Sequence, residues 1–464
     1  MVVSMSKSAD EPEPKQIPGI RSPVGMLGFQ RRLAKDPYSA LADLRARFGD
    51  VVQVSAGLGQ VSVFLFGPDA NAFILSQHKE FFRHEHAYQS LLPVVGETAL
   101  ILTDGGENAR RRQLVQPTLR HHGLDGYLDV AVREADRVID GLVEVVPIDI
   151  GQRLRHGIVR TTIGCLLGPQ VSERADEIAD TLQPALDFVN LPPNKRRKIM
   201  VVGTAYYNAV KARTLIDRVV VAEIDRRKAL PGPERPTDDV LAALLAGHEG
   251  ITISVPEILD QVVSLMAAGI DTTSTSLAWI MDEILRDAAV WDKAVAEVER
   301  VIGPRQLALD DLPRLTYLDG IVSEGLRLHP PHIALPRYVV RDFEYGGFVV
   351  PADSLVYYSP YVTARDPDVW LEPDEFLPQR WDKSALGYVQ PATYAQVAFG
   401  GGSRRCVGVG LALLEIKAFL VQILRRLTIT ADYRGPRVPS GAVIVGPADG
   451  IPVRVLNVTS VAGR

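Results

Sequence analysis

The stretch Phe399-Gly400-Gly401-Gly402-Ser403-Arg404-Arg405-Cys406-Val407-Gly408 governs the reading of the whole chain. A glycine-rich loop lets backbone approach a large ligand where side chains would collide. Cys406 ends that loop, and the apolar run from Val407 to Leu427 reads as a helix starting there. A helix start offers unpaired N–H groups and a positive dipole end, and both favour a thiolate over a thiol. Arg404 and Arg405 add positive charge beside it. A reactive or metal-ligating sulfur suits this setting.

Upstream, Ser254-Val255-Pro256-Glu257 has the form of a capping box opening an apolar helix to about Asp287. At 1.5 Å per residue such a helix is roughly 50 Å long. Its middle, Ala268-Gly269-Ile270-Asp271-Thr272-Thr273-Ser274-Thr275-Ser276, is rich in residues that weaken helices. Local disfavour inside a long helix points to function. Glu324 and Arg327 stand at i, i+3 and can pair on one helix face. Asn108 and Arg112 stand one turn apart in a basic cluster.

Asp36-Pro37 predicts a helix to about Phe48, and Val51–Ser55 with Val61–Phe66 predicts a hairpin around Gly57-Leu58-Gly59. The span 83–103 lacks periodicity and reads as a loop, whereas 125–230 reads as successive amphipathic helices. Between two of these helices, 191–198 is a basic, proline-bearing loop. It suits a solvated connection or a lid that meets an anionic group or a membrane surface. The span 428–455 is strand-like, with Gly and Pro breaks.

The chain has 464 residues, of which 46% are hydrophobic and 23% charged, ordinary values for a globular protein. A net charge of −5 argues against a nucleic-acid binder. Two cysteines, Cys165 and Cys406, make no disulfide framework and fit a reducing compartment. The first fifteen residues are polar and acidic, with no apolar run for a signal peptide or anchor. Residues 1–20 are therefore expected to be a disordered tail and 21–464 a single domain, cytoplasmic and monomeric, with no transmembrane anchor.

The cysteine loop resembles the haem-ligand motif F-x-x-G-x-R-x-C-x-G of the cytochrome P450 family, with Phe399, Gly402, Arg404, Cys406 and Gly408 in its fixed places. Ala268-Gly269-Ile270-Asp271-Thr272 resembles the family's A-G-x-[D/E]-T. Glu324 and Arg327 fill its E-x-x-R, and Pro378-Gln379-Arg380-Trp381 its P-x-R-[F/W]. These motifs follow the family's order.

The resemblance implies a mainly α fold with a small β-rich region made from both ends of the chain. This is a triangular prism holding haem b between a long distal helix and the proximal cysteine helix. Cys406 would ligate the iron, and an anionic sulfur there favours O–O cleavage. Asp271 and Thr272 would relay protons to dioxygen on the distal side. Arg112 and Arg337 would hold the haem propionates. Asn108 stands where the family carries His or Trp, although an amide can still donate. Glu324, Arg327 and Arg380 would form a buried structural triad. Tyr88, Leu91, Leu100, Leu265, Ala268, Ile333, Ala334 and Leu335 would line the substrate pocket.

The implied activity is insertion of one oxygen atom from O2 into an apolar small molecule of lipid, sterol or polyketide type. Electrons would come from a ferredoxin or flavodoxin-type donor with its reductase, docking near Arg404, Arg405 or Arg110. A peroxide-using relative is the rival among enzymes, and the Asp271-Thr272 pair argues against it. A haem-binding sensor or carrier is the rival outside enzymes, and it would need no proton relay.

Overall fold

Ser254 accepts the backbone N–H of Glu257, and the Glu257 carboxylate accepts that of Ser254, so the capping box forms as read. It opens the 32-residue long helix, Val255–Arg286. The hydroxyls inside it do not break it. Thr272, Ser274 and Ser276 each donate to the carbonyl four residues back, at 2.6, 2.8 and 2.8 Å. Val262, Met266, Ile270, Leu277 and Met281 form an apolar stripe along it with no exposure at all. Each such burial contributes about 1.5–3 kcal/mol. The helices Ile150–Leu167, Thr316–Leu328 and Val409–Arg426 (the cysteine helix) pack around it.

The structure is a computed structural model and describes residues 15–57, 59, 61–119, 124–142, 147–192 and 195–459. Most of the expected tail, Leu58 of the expected hairpin turn, and Pro193-Asn194 of the expected lid loop lie outside the described residues.

A six-stranded sheet joins strands near the start of the chain to strands between residues 335 and 358. Its order is Gly19–Ile20, Val51–Val54, Ser62–Leu65, Leu355–Tyr358, Leu335–Val339 and Phe82–Arg83. The pairing of Ser62–Leu65 with Leu355–Tyr358 is parallel, and it fastens the early hairpin to the region beyond the Glu324 helix. A second, three-stranded sheet takes Leu427–Ala431, Pro452–Val458 and Ile148–Asp149. The β-rich region expected from both ends of the chain therefore does not form as one unit, because the last strands pair instead with the middle of the chain. The fold is mainly helical with small sheets, as expected.

Two further expectations are corrected. The disordered tail was drawn too long, because Ile17 is buried at 5% exposure and Gly19–Ile20 pair in register with Gln53 and Val54. A short strand with one buried isoleucine carries too little pattern to stand out beside a polar stretch. The aperiodic span 83–103 is a chain of short helical turns tied down by side chains from distant helices. Asp260 of the long helix accepts from the N–H and hydroxyl of Thr98 at 3.0 and 2.8 Å, and Gln261 donates to the Thr98 carbonyl at 2.7 Å. Arg213 donates to the Val94 carbonyl at 2.7 Å.

Candidate active site

The cysteine loop closes on itself, with the Cys406 N–H donating to the Phe399 carbonyl at 2.9 Å. The helix expected from Val407 starts at Val409 with Gly408 as its cap, so the sulfur precedes the first turn. Gly402 has φ +59°, and a Cβ there would lie 1.9 Å from the Leu75 carbonyl oxygen. A Cβ at Gly401 would meet the Tyr394 ring at 2.7 Å. The Cys406 side chain is exposed, yet surrounding protein mass desolvates the thiol and raises its pKa. The Gly408 N–H, which donates to the sulfur, and the nearby Arg112 and Arg405 pull the other way. The sulfur therefore lies in a recess, reachable by a ligand and already solvated by a backbone donor.

Beside it a cluster of positive groups converges. Arg337, only 4% exposed, donates to the Pro336 carbonyl at 2.8 Å and lies beside Tyr88, with its guanidinium 5.2 Å from the centre of the Tyr358 ring. None of these partners is anionic. Arg404 donates to the Leu100 carbonyl at 3.2 Å and to Thr103 and Asp104. Burial lowers its pKa, with Arg337 and Arg112 adding to that and Asp104 opposing it. Arg112 donates to the Arg405 carbonyl at 2.6 Å, which joins its helix to the cysteine loop.

Asn108 is corrected. Its amide donates to the Leu100 carbonyl at 2.7 Å and to the Thr103 hydroxyl at 3.4 Å, so both donor hydrogens are spent on the preceding turn. His84, which sequence reading missed, stands in this cluster instead. Both its ring nitrogens are buried without a hydrogen-bond partner. Burial holds its pKa well below the usual histidine value, and Arg337, Arg404 and Arg112 add to that.

One face of the long helix differs from the rest. Leu265, Gly269 and Thr272 are half-buried and Ala268 is exposed, while Val262, Val263, Met266 and Ile270 on its other sides are buried. A Cβ at Gly269 would stand 3.4 Å from a Thr162 methyl. Asp271, next to Thr272, turns aside toward neighbouring helices. Arg155 reaches its Oδ1 from Nη2 at 2.8 Å and from Nε at 3.2 Å, and Asn190 reaches Oδ2 at 2.8 Å. Arg155 also donates to Gln183 at 3.0 Å. Neither Arg155 nor Asn190 carries a sequence signal, since both come from helices outside any motif.

The triad assembles as expected. Arg327 makes a two-pronged contact with Glu324 at 2.8 and 2.9 Å, and both side chains have zero exposure. Arg380 adds a third contact at 3.1 Å, and the Trp381 indole N–H a fourth at 2.8 Å. Gln396, just before the cysteine loop, donates to the Ser323 carbonyl at 2.9 Å and links this core to the loop.

The pocket expectations divide. Tyr88, Leu100, Leu265, Ala334 and Leu335 are partly buried. Leu91 is a core residue packed among Val94, Val95 and their neighbours, and Ile333 is buried with Tyr38, Leu41 and Phe64. The turn geometry of these segments, which no periodicity discloses, aims both side chains inward. The basic connection is anchored to the same region, because Arg196 donates to Ser90 at 2.8 Å. Beyond it, Ile199, Met200, Val201 and Val202 are all exposed.

These groups fit haem b. A glycine cradle, one reachable sulfur, convergent cations beside a histidine with unsatisfied ring nitrogens, and a small-residue helix face match a flat iron macrocycle with two carboxylates. The family model described as Cytochrome P450 matches residues 17–447. A putative cytochrome P450 139 of Mycobacterium tuberculosis is 39% identical over 377 residues, covering 80% of this chain and 87% of that protein. Cyclooctatin synthase of Streptomyces melanosporofaciens is 31% identical, covering 96% and 98%. Lanosterol 14-alpha demethylase of Rattus norvegicus is 26% identical, covering 89% and 82%. Among solved structures, retinoic acid bound cyanobacterial CYP120A1 superposes with a TM-score of 0.85 at 22% identity, covering 96% of this chain and 100% of that one. The chain belongs to the cytochrome P450 family and is a haem b monooxygenase.

Proposed function

We propose that this enzyme inserts one oxygen atom from O2 into an apolar, lipid-like small molecule of terpenoid or sterol type. The observation that carries the reading is the open face of Leu265, Ala268, Gly269 and Thr272 on a long helix whose Val262, Val263, Met266 and Ile270 are buried. The names of the Streptomyces and rat relatives support the substrate class.

When bound, haem supplies activation of dioxygen by thiolate-ligated iron. The chain does the rest. Cys406 supplies the sulfur, and the Gly408 N–H tempers its basicity. Arg112, Arg337 and Arg404 hold the carboxylates. Phe399 and Gly402 shape the loop that carries the sulfur. Ala268 and Gly269 would leave room for dioxygen at this helix face. The Thr272 hydroxyl holds a proton at the open face, and Asp271 resupplies it from the Arg155 side.

Electrons come from a ferredoxin or flavodoxin-type partner. Of the three arginines expected at its docking face, Arg110 is engaged by Glu257 at 2.7 Å and Arg404 by Asp104, whereas Arg405 stays exposed. Arg405 is therefore the one we assign to that contact.

The test is a reduced carbon-monoxide spectrum, followed by turnover of a terpenoid and sterol panel under 18O2 with surrogate donors. A thiolate-type band and one labelled oxygen per product are expected. A thiolate band with products labelled only from added peroxide would overturn the O2 reading.

A further inference from the structure

His84 follows the edge strand Phe82–Arg83 and begins the wall of short turns that runs to Leu102. Its backbone is fixed, because the N–H groups of His84 and Glu85 both donate to the Asp104 carboxylate, at 2.9 and 3.0 Å. Its ring is fixed too, stacked on Tyr88 with centroids 5.5 Å apart and planes 29° apart. Tyr88 in turn lies beside Arg337. The imidazole is thus locked in one orientation by groups that themselves belong to the cation cluster.

A half-buried imidazole held in place with both ring nitrogens buried and unpaired is costly, because each nitrogen has given up water without gaining a partner. Such a group is retained when a ligand completes it. The surrounding charges say which kind of ligand. Arg337, Arg404 and Arg112 all act on the ring, and Asp104, the carboxylate that meets Arg404, also accepts from two backbone N–H groups. Another cation would be repelled here and a second anion welcomed. Asn108, the residue expected to share this work, has spent its donors on Leu100 and Thr103.

We propose that His84 is a haem-binding residue, a neutral imidazole that donates a ring N–H to a haem carboxylate in the place left by Asn108. Its low proton affinity, set by burial and by the three arginines, keeps one nitrogen as donor and leaves the other as acceptor. The assignment rests on haem b as the cofactor and concerns only which side chains hold it.

The test is haem loss. Holoenzyme is mixed with excess apomyoglobin, and transfer is followed by absorbance. His84→Ala is expected to release haem about tenfold faster than wild type, the scale of one hydrogen bond to a charged group. His84→Phe, which keeps a ring against Tyr88 without a donor, should match it and covers the case in which the alanine variant fails to fold. His84→Asn or His84→Gln, each placing an amide near one ring nitrogen, should recover most of the difference. All variants should keep the thiolate-type carbon-monoxide band, which separates failure of this donor from failure of the Cys406 assignment. With iron etioporphyrin, which has no carboxylates, wild type and His84→Phe should release at equal rates. Equal haem loss from wild type and His84→Phe would overturn the proposal. So would a difference that persists with iron etioporphyrin, because His84 would then be a packing residue.

Discussion

Arg155 holds Asp271 by two nitrogens on one carboxylate oxygen, at 2.8 and 3.2 Å, while Asn190 takes the other oxygen at 2.8 Å. The acid beside Thr272 is thus tied to two helices that flank the long one. A carboxylate held this way must exchange partners before it can pass a proton toward Thr272. Asp271→Asn should therefore cut product formation by about 10²-fold or more, the usual scale for a lost acid–base group. Its thiolate-type spectrum should be unchanged. Turnover within threefold of wild type would remove Asp271 from the relay.

The Thr272 hydroxyl donates to the Ala268 carbonyl at 2.6 Å, a bond that adds little to a helix already satisfied. Thr272→Ala should leave the thermal midpoint nearly unchanged. NADPH use should continue while product per NADPH falls severalfold. Unchanged coupling would sink the role given to this hydroxyl.

Gly402 and Gly105 have nearly the same backbone, φ +59° and +57°, but different surroundings. A Cβ at Gly402 meets the Leu75 carbonyl at 1.9 Å, and one at Gly105 meets nothing within 4 Å. Gly105→Ala should cost only the left-handed penalty, about 1–2 kcal/mol. Gly402→Ala should cost that plus displacement of backbone, with visible loss of haem content. Equal destabilisation of the two in urea would contradict the close approach at Gly402.

Among the described residues Glu324 is the sole carboxylate paired with Arg327, and it also meets Arg380 and Trp381, with zero side-chain exposure. Glu324→Gln leaves a buried guanidinium uncompensated and should destabilise by about 3–5 kcal/mol. Arg380→Ala should cost less, because Arg327 still neutralises the carboxylate. Denaturation midpoints of the two variants decide the order.

Glu415 on the cysteine helix is buried and accepts from Thr162 at 3.2 Å, and burial pushes its pKa up from 4.5 to about 8. Between these two values the unfolded chain has lost the proton and the folded one keeps it. The native state then binds more protons, so this group makes stability fall as pH rises from about 4.5 to about 8. Glu415→Gln should flatten that slope and raise stability at pH 8 relative to wild type. Parallel pH profiles of the two proteins would show that Glu415 is ionised in the fold.

What could be read from the sequence shares one property, short separation along the chain or a contact set by one helical turn. The capping box at Ser254, the Glu324–Arg327 pair and the glycines that bring Cys406 into place depend on local backbone geometry, which spacing determines. The family motif then supplied Arg380 as a third partner that spacing alone could not find. Tertiary structure decided the rest. Arg155 and Asn190 meet Asp271 from 116 and 81 residues away, and no local rule selects them. Asn108 occupied the expected turn of its helix, yet packing gave its donors to Leu100 and Thr103. His84 drew no notice in sequence because one histidine in an aperiodic stretch has no pattern. Only the folded chain, which buries both ring nitrogens near three arginines and leaves them unpaired, gives it a role. Local geometry is written in neighbouring residues, whereas the choice of partners in a core is made by which surfaces pack together.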